Sequence, residues 1–435
     1  MVTHRTMTGR SPNPSAPVGV NYWTESFLSM DAVAPQAADP YFGFLLRGTG
    51  RAPDLEDLRE RIARSLPALP ALTHRPSTTE GRLRWTSDEA FDIRRHVRTC
   101  PRLDEDLSPA QQLIPATEPE RPLWGIWLDP GLHDGRWELY FLTHHAVQDA
   151  TGVLRTLRIL LCEDPADLPG QPPEPGARPS LLHAVRAMAV LAPQVLSSYL
   201  PTAGWDPIDQ VKGRRRRFAY AQVPTATLRT VADRYGASVT QVHLAAMTSA
   251  LRALDAQAGS SSTRHRPLHV CLPLDTRQPG RREDAVGNHL GLDRIPLPWD
   301  RSSPAQQLRA ITRTVGRSKI RRHKRAWEDV VAAGPHSLLG RLHMRVAHPA
   351  RTRLTISGVN VPDALTCLGA PVTELIPLPW MPPGHACFTL MATYDGRTTL
   401  SVLTDEDAIA PEILTARWLQ AVDELHAAPL SDSRF

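Results

Sequence analysis

Residues 137–142 form an apolar, strand-like run that leads to two adjacent histidines, His144 and His145; Asp149 follows four residues after the second, and residues 151–161 have helical spacing. This passage constrains the fold most, because it requires a strand and a helix joined by a short loop that holds an imidazole between two rigid elements. The same alternation recurs along the chain. Residues 54–66 put Leu55, Leu58, Ile62 and Leu66 on one helical face and Arg59, Glu60 and Arg64 on the other, with Pro67 and Pro70 as stops. Residues 225–235, closed by Gly236, and 240–254 read as further helices, and residues 139–143, 268–272, 352–356 and 398–403 as strands. The expected class is therefore α/β, or α+β, with mixed sheets.

Three readings compete for the histidine loop. A metal site needs converging ligands, and adjacent histidines with no cysteine or carboxylate cluster nearby are a poor set, so no metal is expected. A structural reading makes the histidines strand-end residues and Asp149 the N-cap of the helix, its carboxylate accepting free backbone N–H groups. A catalytic reading makes His145 a general base, able to take a proton from an alcohol or amine near neutral pH. The loop alone leaves these open.

A chain of 435 residues exceeds the size at which one core keeps growing, so two domains are expected. Hydrophobic residues at 41% and charged residues at 22% are ordinary for a globular protein, and a net charge of +5 without an aromatic-interleaved basic motif argues against nucleic acid. Cys100, Cys162, Cys271, Cys367 and Cys387 lack CxxC spacing and read as reduced thiols of a cytoplasmic protein. Residues 1–20 are polar, without the apolar core of a signal peptide, and read as a flexible tail. Residues 184–200, the longest apolar stretch, are interrupted by Arg186 and Pro193, too short to span a bilayer of roughly 20 apolar residues but compatible with a helix on a membrane surface.

The Pro/Gly-rich opening of residues 163–213 marks a linker, with a crossover helix at 180–200 interrupted at Pro193. It separates an N-terminal subdomain, 21–162, from a C-terminal one, 214–435. Two basic runs, 214–217 and 317–325, read as solvated faces or as attractors of an anionic partner, whether a phosphate-bearing small molecule, an acidic protein or an anionic membrane.

His144, His145 and Asp149 resemble the HHxxxDG signature of the condensation-domain and CoA-dependent acyltransferase superfamily. Further segments resemble the wax ester synthase/diacylglycerol acyltransferase branch in family order. They are Ser29, Met30 and Asp31; Phe91, Asp92, His96 and Val97; Pro122, Leu123 and Trp124; Gly131 and Leu132; Pro273 through Arg277; Gly287 and Asn288; Asn360, Val361 and Pro362; and Tyr394 and Gly396. The resemblance implies two chloramphenicol-acetyltransferase-like subdomains arranged as a V-shaped pseudo-dimer around a central tunnel. It also implies acyl transfer from a CoA or carrier-protein phosphopantetheinyl thioester to a hydroxyl or amine. No bound cofactor is implied, a monomer is expected, and peripheral membrane contact is compatible with relatives that handle lipids.

By that resemblance His145 is the base and His144 supports the loop. Asp149 is an anchor ion-paired to an arginine, Arg277 or Arg75. Asn288 either donates to substrate or oxyanion or is a turn residue. Trp124, with Pro122 and Leu123, walls the tunnel or braces the loop, and Gly152 contributes to substrate or oxyanion binding or to structural support. His385 has no counterpart. Two departures stand out: Ala150 replaces the glycine after the aspartate, and Asp363 and Ala364 follow Pro362 in place of Gly-Pro. They favour a specialised relative, serving a natural-product pathway with a carrier-borne donor, over a synthase of wax esters or triacylglycerols from long-chain acyl-CoA. A non-catalytic acyl-carrier or lipid-binding protein is a further alternative.

Overall fold

The structure is a computed structural model and describes residues 18–19, 22–79, 81–115, 121–132, 135–162, 181–200, 202, 213, 215–257, 267–277, 287–333 and 336–428. Among the described residues fifteen strands, β1 (Val18–Gly19), β2 (Tyr41–Thr49), β3 (His74–Thr79), β4 (Arg82–Ser87), β5 (Val97–Thr99), β6 (Trp124–Leu132), β7 (Arg136–His144), β8 (Arg216–Pro224), β9 (His269–Asp275), β10 (Leu290–Pro296), β11 (Leu354–Asn360), β12 (Thr366–Cys367), β13 (Ala370–Leu378), β14 (Cys387–Tyr394) and β15 (Arg397–Asp405), form three sheets. One six-stranded sheet runs β12-β13-β2-β7-β6-β5, the other β10-β9-β11-β14-β15-β8, and a small sheet runs β1-β4-β3. Both large sheets are mixed: β5 lies parallel to β6 and β11 parallel to β9 and β14, while the other pairs are antiparallel.

Twelve helices accompany them among the described residues: α1 (Tyr22–Asp31), α2 (Leu55–Ser65), α3 (Ile93–His96), α4 (Pro109–Leu113), α5 (Ala150–Leu157), α6 (Leu181–Ser197), α7 (Thr225–Arg234), α8 (Val239–Gln257), α9 (Pro304–Thr314), α10 (Arg317–Ala333), α11 (His336–Ala347) and α12 (Pro411–Ala427). The periodicity at 54–66 is realised in α2, where Asp54 caps the N-terminus by accepting from the amides of Glu56 and Asp57, a bond worth about 0.5–2 kcal/mol. Leu58 and Ile62 are fully buried under it. Gly236 closes α7 at φ +60°, a conformation that costs a side chain and that glycine supplies freely.

Several boundaries differ from the sequence reading. Of the expected tail, residues 18–19 form β1 on β4, whose edge offers unpaired backbone groups; residues 1–17 lie outside the described part. The crossover helix α6 runs unbroken through Pro193. Proline removes one backbone bond, but Pro193 and Ala189, four residues before it, are both exposed, so water can take the freed carbonyl. The split at 214 does not confine the strands either. β13, from the C-terminal half, pairs with β2 inside the N-terminal sheet, with Leu375 opposite Leu46 and Ile376 opposite Leu45. The halves are thus interlocked, and β7 carries the histidine loop out of the centre of a buried sheet. No helix among the described residues is long and apolar enough to cross a membrane.

Candidate active site

β7 ends at His144, and α5 begins at Ala150; the loop between them is held from every side. The backbone N–H of His144 donates to Leu123 O at 2.9 Å and that of His145 to Pro40 O at 3.0 Å. Leu123 therefore braces the loop through its carbonyl. Trp124 is a buried core residue, its indole N–H given to Leu72 O at 2.7 Å and its ring stacked on His96.

The two histidines have different surroundings. His144 Nδ1 accepts from the Ala146 amide at 3.0 Å, which places its ring proton on Nε2, 3.0 Å from Asp31 Oδ1. Both of its nitrogens are occupied by structure. His145 instead sits in an aromatic cage, with Phe27 stacked at 4.0 Å, Phe42 at 4.6 Å and Trp380 edge-on at 4.9 Å. Burial in that cage is the main cause lowering its pKa from 6.5 to about 4, partly opposed by its own carbonyl, by Asp149 and by the Asn288 side chain. The ring is thus neutral near pH 7. Its Nδ1 is buried and makes no hydrogen bond of normal geometry.

Asp149 unites two of the sequence readings. Its Oδ1 accepts from the Gly152 amide at 2.9 Å, capping α5, and its Oδ2 accepts from Arg277 Nη1 at 2.9 Å and from the His289 amide at 2.7 Å. Arg277 and Asp149 are both buried, and Arg277 also donates to Gly287 O and to Asp275. Arg75 lies on β3 of the small sheet, and the partner of Asp149 is Arg277. Asn288 donates from Nδ2 to His145 O at 2.8 Å, so this donor already serves the loop backbone, while its Oδ1 is buried without a partner. Gly152 has a steric role: a Cβ there would lie 3.0 Å from Gly287 O and 3.1 Å from Gln148 Cβ.

Ala150 is the first residue of α5 and is absent from the positive-φ residues, so glycine is not required there. The positive φ in this neighbourhood belongs to Gly287, at +102°. His385 lies apart from the loop, buried with Nε2 facing Ala347 O at 2.8 Å. The sequence reading missed the cage, because Phe27, Phe42 and Trp380 are far apart along the chain. It also missed the role of Asp31, although the motif containing it was visible. No group of three or more metal-ligating side chains occurs among the described residues.

Within the basic run at 214–217, Arg216 departs from the solvated-face reading. Arg216 is 2% exposed and bidentate on Asp39, with Nε to Oδ1 and Nη2 to Oδ2 both at 2.9 Å, and its Nη1 donates to Asp405. Asp39 precedes Pro40, whose carbonyl holds the His145 amide, and Asp39 O accepts from Met381 N, next to Trp380 of the cage. Burial of the guanidinium is matched by two carboxylates brought from distant sequence.

Two mixed sheets joined by an exchanged strand, with a histidine loop at their junction, define a condensation-domain type of fold. Solved structures agree. A wax ester synthase/diacylglycerol acyltransferase from Marinobacter aquaeolei VT8 superposes with a TM-score of 0.62 at 19% identity, covering 94% of this chain and 98% of that one. The first condensation domain of the calcium-dependent antibiotic synthetase, in complex with a substrate analogue, gives 0.66 at 18% identity over 96% and 98%. The family model described as the wax ester synthase/diacylglycerol acyltransferase catalytic domain matches residues 41–204, and that for the family's C-terminal domain matches 286–426. The chain belongs to the wax ester synthase/diacylglycerol acyltransferase family. A Mycobacterium tuberculosis protein named "Putative diacyglycerol O-acyltransferase" is 27% identical over 263 residues, which is 52% of this chain; the match spans about half, 55%, of that relative's own length.

Proposed function

We propose that this chain transfers an acyl group from an acyl-CoA thioester to a hydroxyl, releasing free CoA thiol and forming an ester of the wax ester or acylglycerol class. The single observation that carries the reading is His145, a neutral imidazole in an apolar cage whose loop is pinned by Asp149, Arg277 and Asn288. A thioester is already activated, so the barrier lies in deprotonation, approach and oxyanion charge. His145 accepts the hydroxyl proton as the oxygen attacks the thioester carbonyl; the tetrahedral intermediate then expels the sulfur, which receives that proton. Such proton transfer supplies roughly 10² to 10⁴ in rate. His144, Asp149, Arg277 and Gly152 act by holding the loop, and Asn288 acts through the His145 carbonyl.

Family membership and the names of the relatives favour acyl-CoA and an alcohol over a carrier-borne donor and an amine. The case for a specialised natural-product enzyme leaned on Ala150 together with Asp363 and Ala364, and a helical Ala150 removes the first of these supports. The test is a screen of acyl-CoAs of several chain lengths and, in parallel, carrier-protein-loaded acyl donors against a fatty alcohol, a diacylglycerol and a primary amine, reading free thiol and product mass. Ester formation is expected, and a folded His145→Ala variant should lose at least a hundredfold in kcat. Undiminished turnover in that variant, or products formed only from carrier-loaded donors and amines, refutes the proposal.

A further inference from the structure

Helices α6 and α10 pack side by side, and each presents a single-faced row to the other. On α6 the row is His183, Arg186, Ala187 and Val190; on α10 it is Ser318, Arg321, Arg322 and Arg325, with Ala326 and Asp329 beyond. Both rows repeat at i, i+3, i+4 and i+7, the spacing of one helical face. The rows enclose an open groove of about 460 Å³, within the roughly 300–1,000 Å³ range of small-molecule sites.

Four guanidinium groups line this one groove, and Asp329 is the carboxylate among its lining residues. Among the described residues Arg186, Arg321, Arg322 and Arg325 make no ion pair. Other, half-buried arginines do find acceptors: Arg217 pairs with Glu412 and Arg351 donates to Tyr199 O. Four like charges held together with a single carboxylate among them repel, and a ligand of opposite charge relieves that repulsion. Guanidinium forks match phosphate oxygens two at a time, which a spherical ion cannot exploit. The floor, Ala187, Val190 and Ala326, is apolar and gives a ligand something to lie against.

From this geometry we propose that the α6–α10 groove binds a phosphate-bearing polyanion, its phosphate groups on Arg186, Arg321, Arg322 and Arg325. Phosphate of this kind comes from a soluble nucleotide such as CoA or from an anionic phospholipid headgroup. Leu182 and Val185, each more than half exposed, border the groove on α6 and would serve only the lipid.

The experiment compares the 435-residue chain with its variant Arg186→Gln/Arg321→Gln/Arg322→Gln/Arg325→Gln. All four side chains are exposed, and unchanged thermal denaturation will show that the fold is kept. Two probes are titrated, CoA by calorimetry and phosphatidylglycerol vesicles by co-sedimentation, each at low and at raised salt. At least a tenfold loss of affinity for one probe is expected, with binding to the native protein falling as salt rises. Loss confined to CoA identifies the soluble source, and loss confined to vesicles the lipid. Equal binding of both probes by the native protein and the variant overturns the site, as does failure of the native protein to bind either. These are equilibrium binding measurements, so their outcome does not depend on whether acyl transfer is observed.

Discussion

Acid should unfold this protein unusually early, and the magnitude follows from its buried histidines. Six of them are held neutral chiefly by burial: the pKa is lowered to about 4 at His96, His145, His269 and His385 and to about 3 at His243 and His343. Each is less than a tenth exposed. His343 is boxed in by Tyr22, Trp23 and Trp327, and His243 lies against Trp418, whose indole N–H it accepts. In the unfolded chain each titrates near 6.5. Above that value both states are neutral and nothing is gained or lost. As pH falls below 6.5 the unfolded state takes up protons that the native state refuses, so stability falls until pH reaches the native pKa.

At pH 5 the loss is about 2 kcal/mol for each such histidine. Across six it approaches the whole stability of a typical domain, roughly 5–15 kcal/mol. Urea denaturation followed by tryptophan fluorescence at pH 7.5, 6.5, 6.0 and 5.5 checks this. The midpoint should be level above about 7 and should fall with a steepening slope below 6.5, reporting uptake of several protons on unfolding. His243→Gln, which removes one of them, should reduce that uptake by about one. A midpoint that stays constant from pH 7.5 to 5.5 refutes the reasoning, because it would mean that these imidazoles charge in the native state.

Arg216→Met should cost about 3–5 kcal/mol, because it leaves Asp39 and Asp405 buried beside one another without their shared cation; a urea midpoint unchanged within error would show that the clamp carries no such load. The same variant should lower kcat more than KM, since Asp39 precedes the carbonyl that holds His145. Gly152→Ala should cost roughly 1–3 kcal/mol by forcing a methyl against Gly287 O. Wild-type stability and turnover in that protein would mean that the two loops can part freely.

The histidine loop was legible because every signal for it is local. A short, nearly continuous apolar run, a capping aspartate and a run with period 3.6 predict strand, loop and helix within twenty-odd residues, and β7 and α5 follow. Features set by residues distant in sequence were not. Arg216 sits in a run of four arginines and looks solvated; nothing near it announces carboxylates at 39 and 405. β13 carries an ordinary strand pattern, and no pattern states that its partner is β2 and not a neighbour in its own half. The cage around His145 draws Phe27, Phe42 and Trp380 from three separate regions, and each alone reads as a core aromatic.

The glycine question shows how local and long-range rules divide. A positive φ does favour glycine, but the position that has it is Gly287, in the facing loop, and not residue 150. The close packing requirement falls on Gly152, where the capped start of α5 touches Gly287. The motif's conformational demands are therefore met jointly by a loop from each half, and Asp149, Arg277, Gly287 and Asn288 hold both loops at once. Beside the β13–β2 exchange, the contacts that dock these two loops are the same ones that fix the base. Loosening that junction should move His145 before it unfolds either sheet, because β7 and β10 end there while their own ladders remain intact.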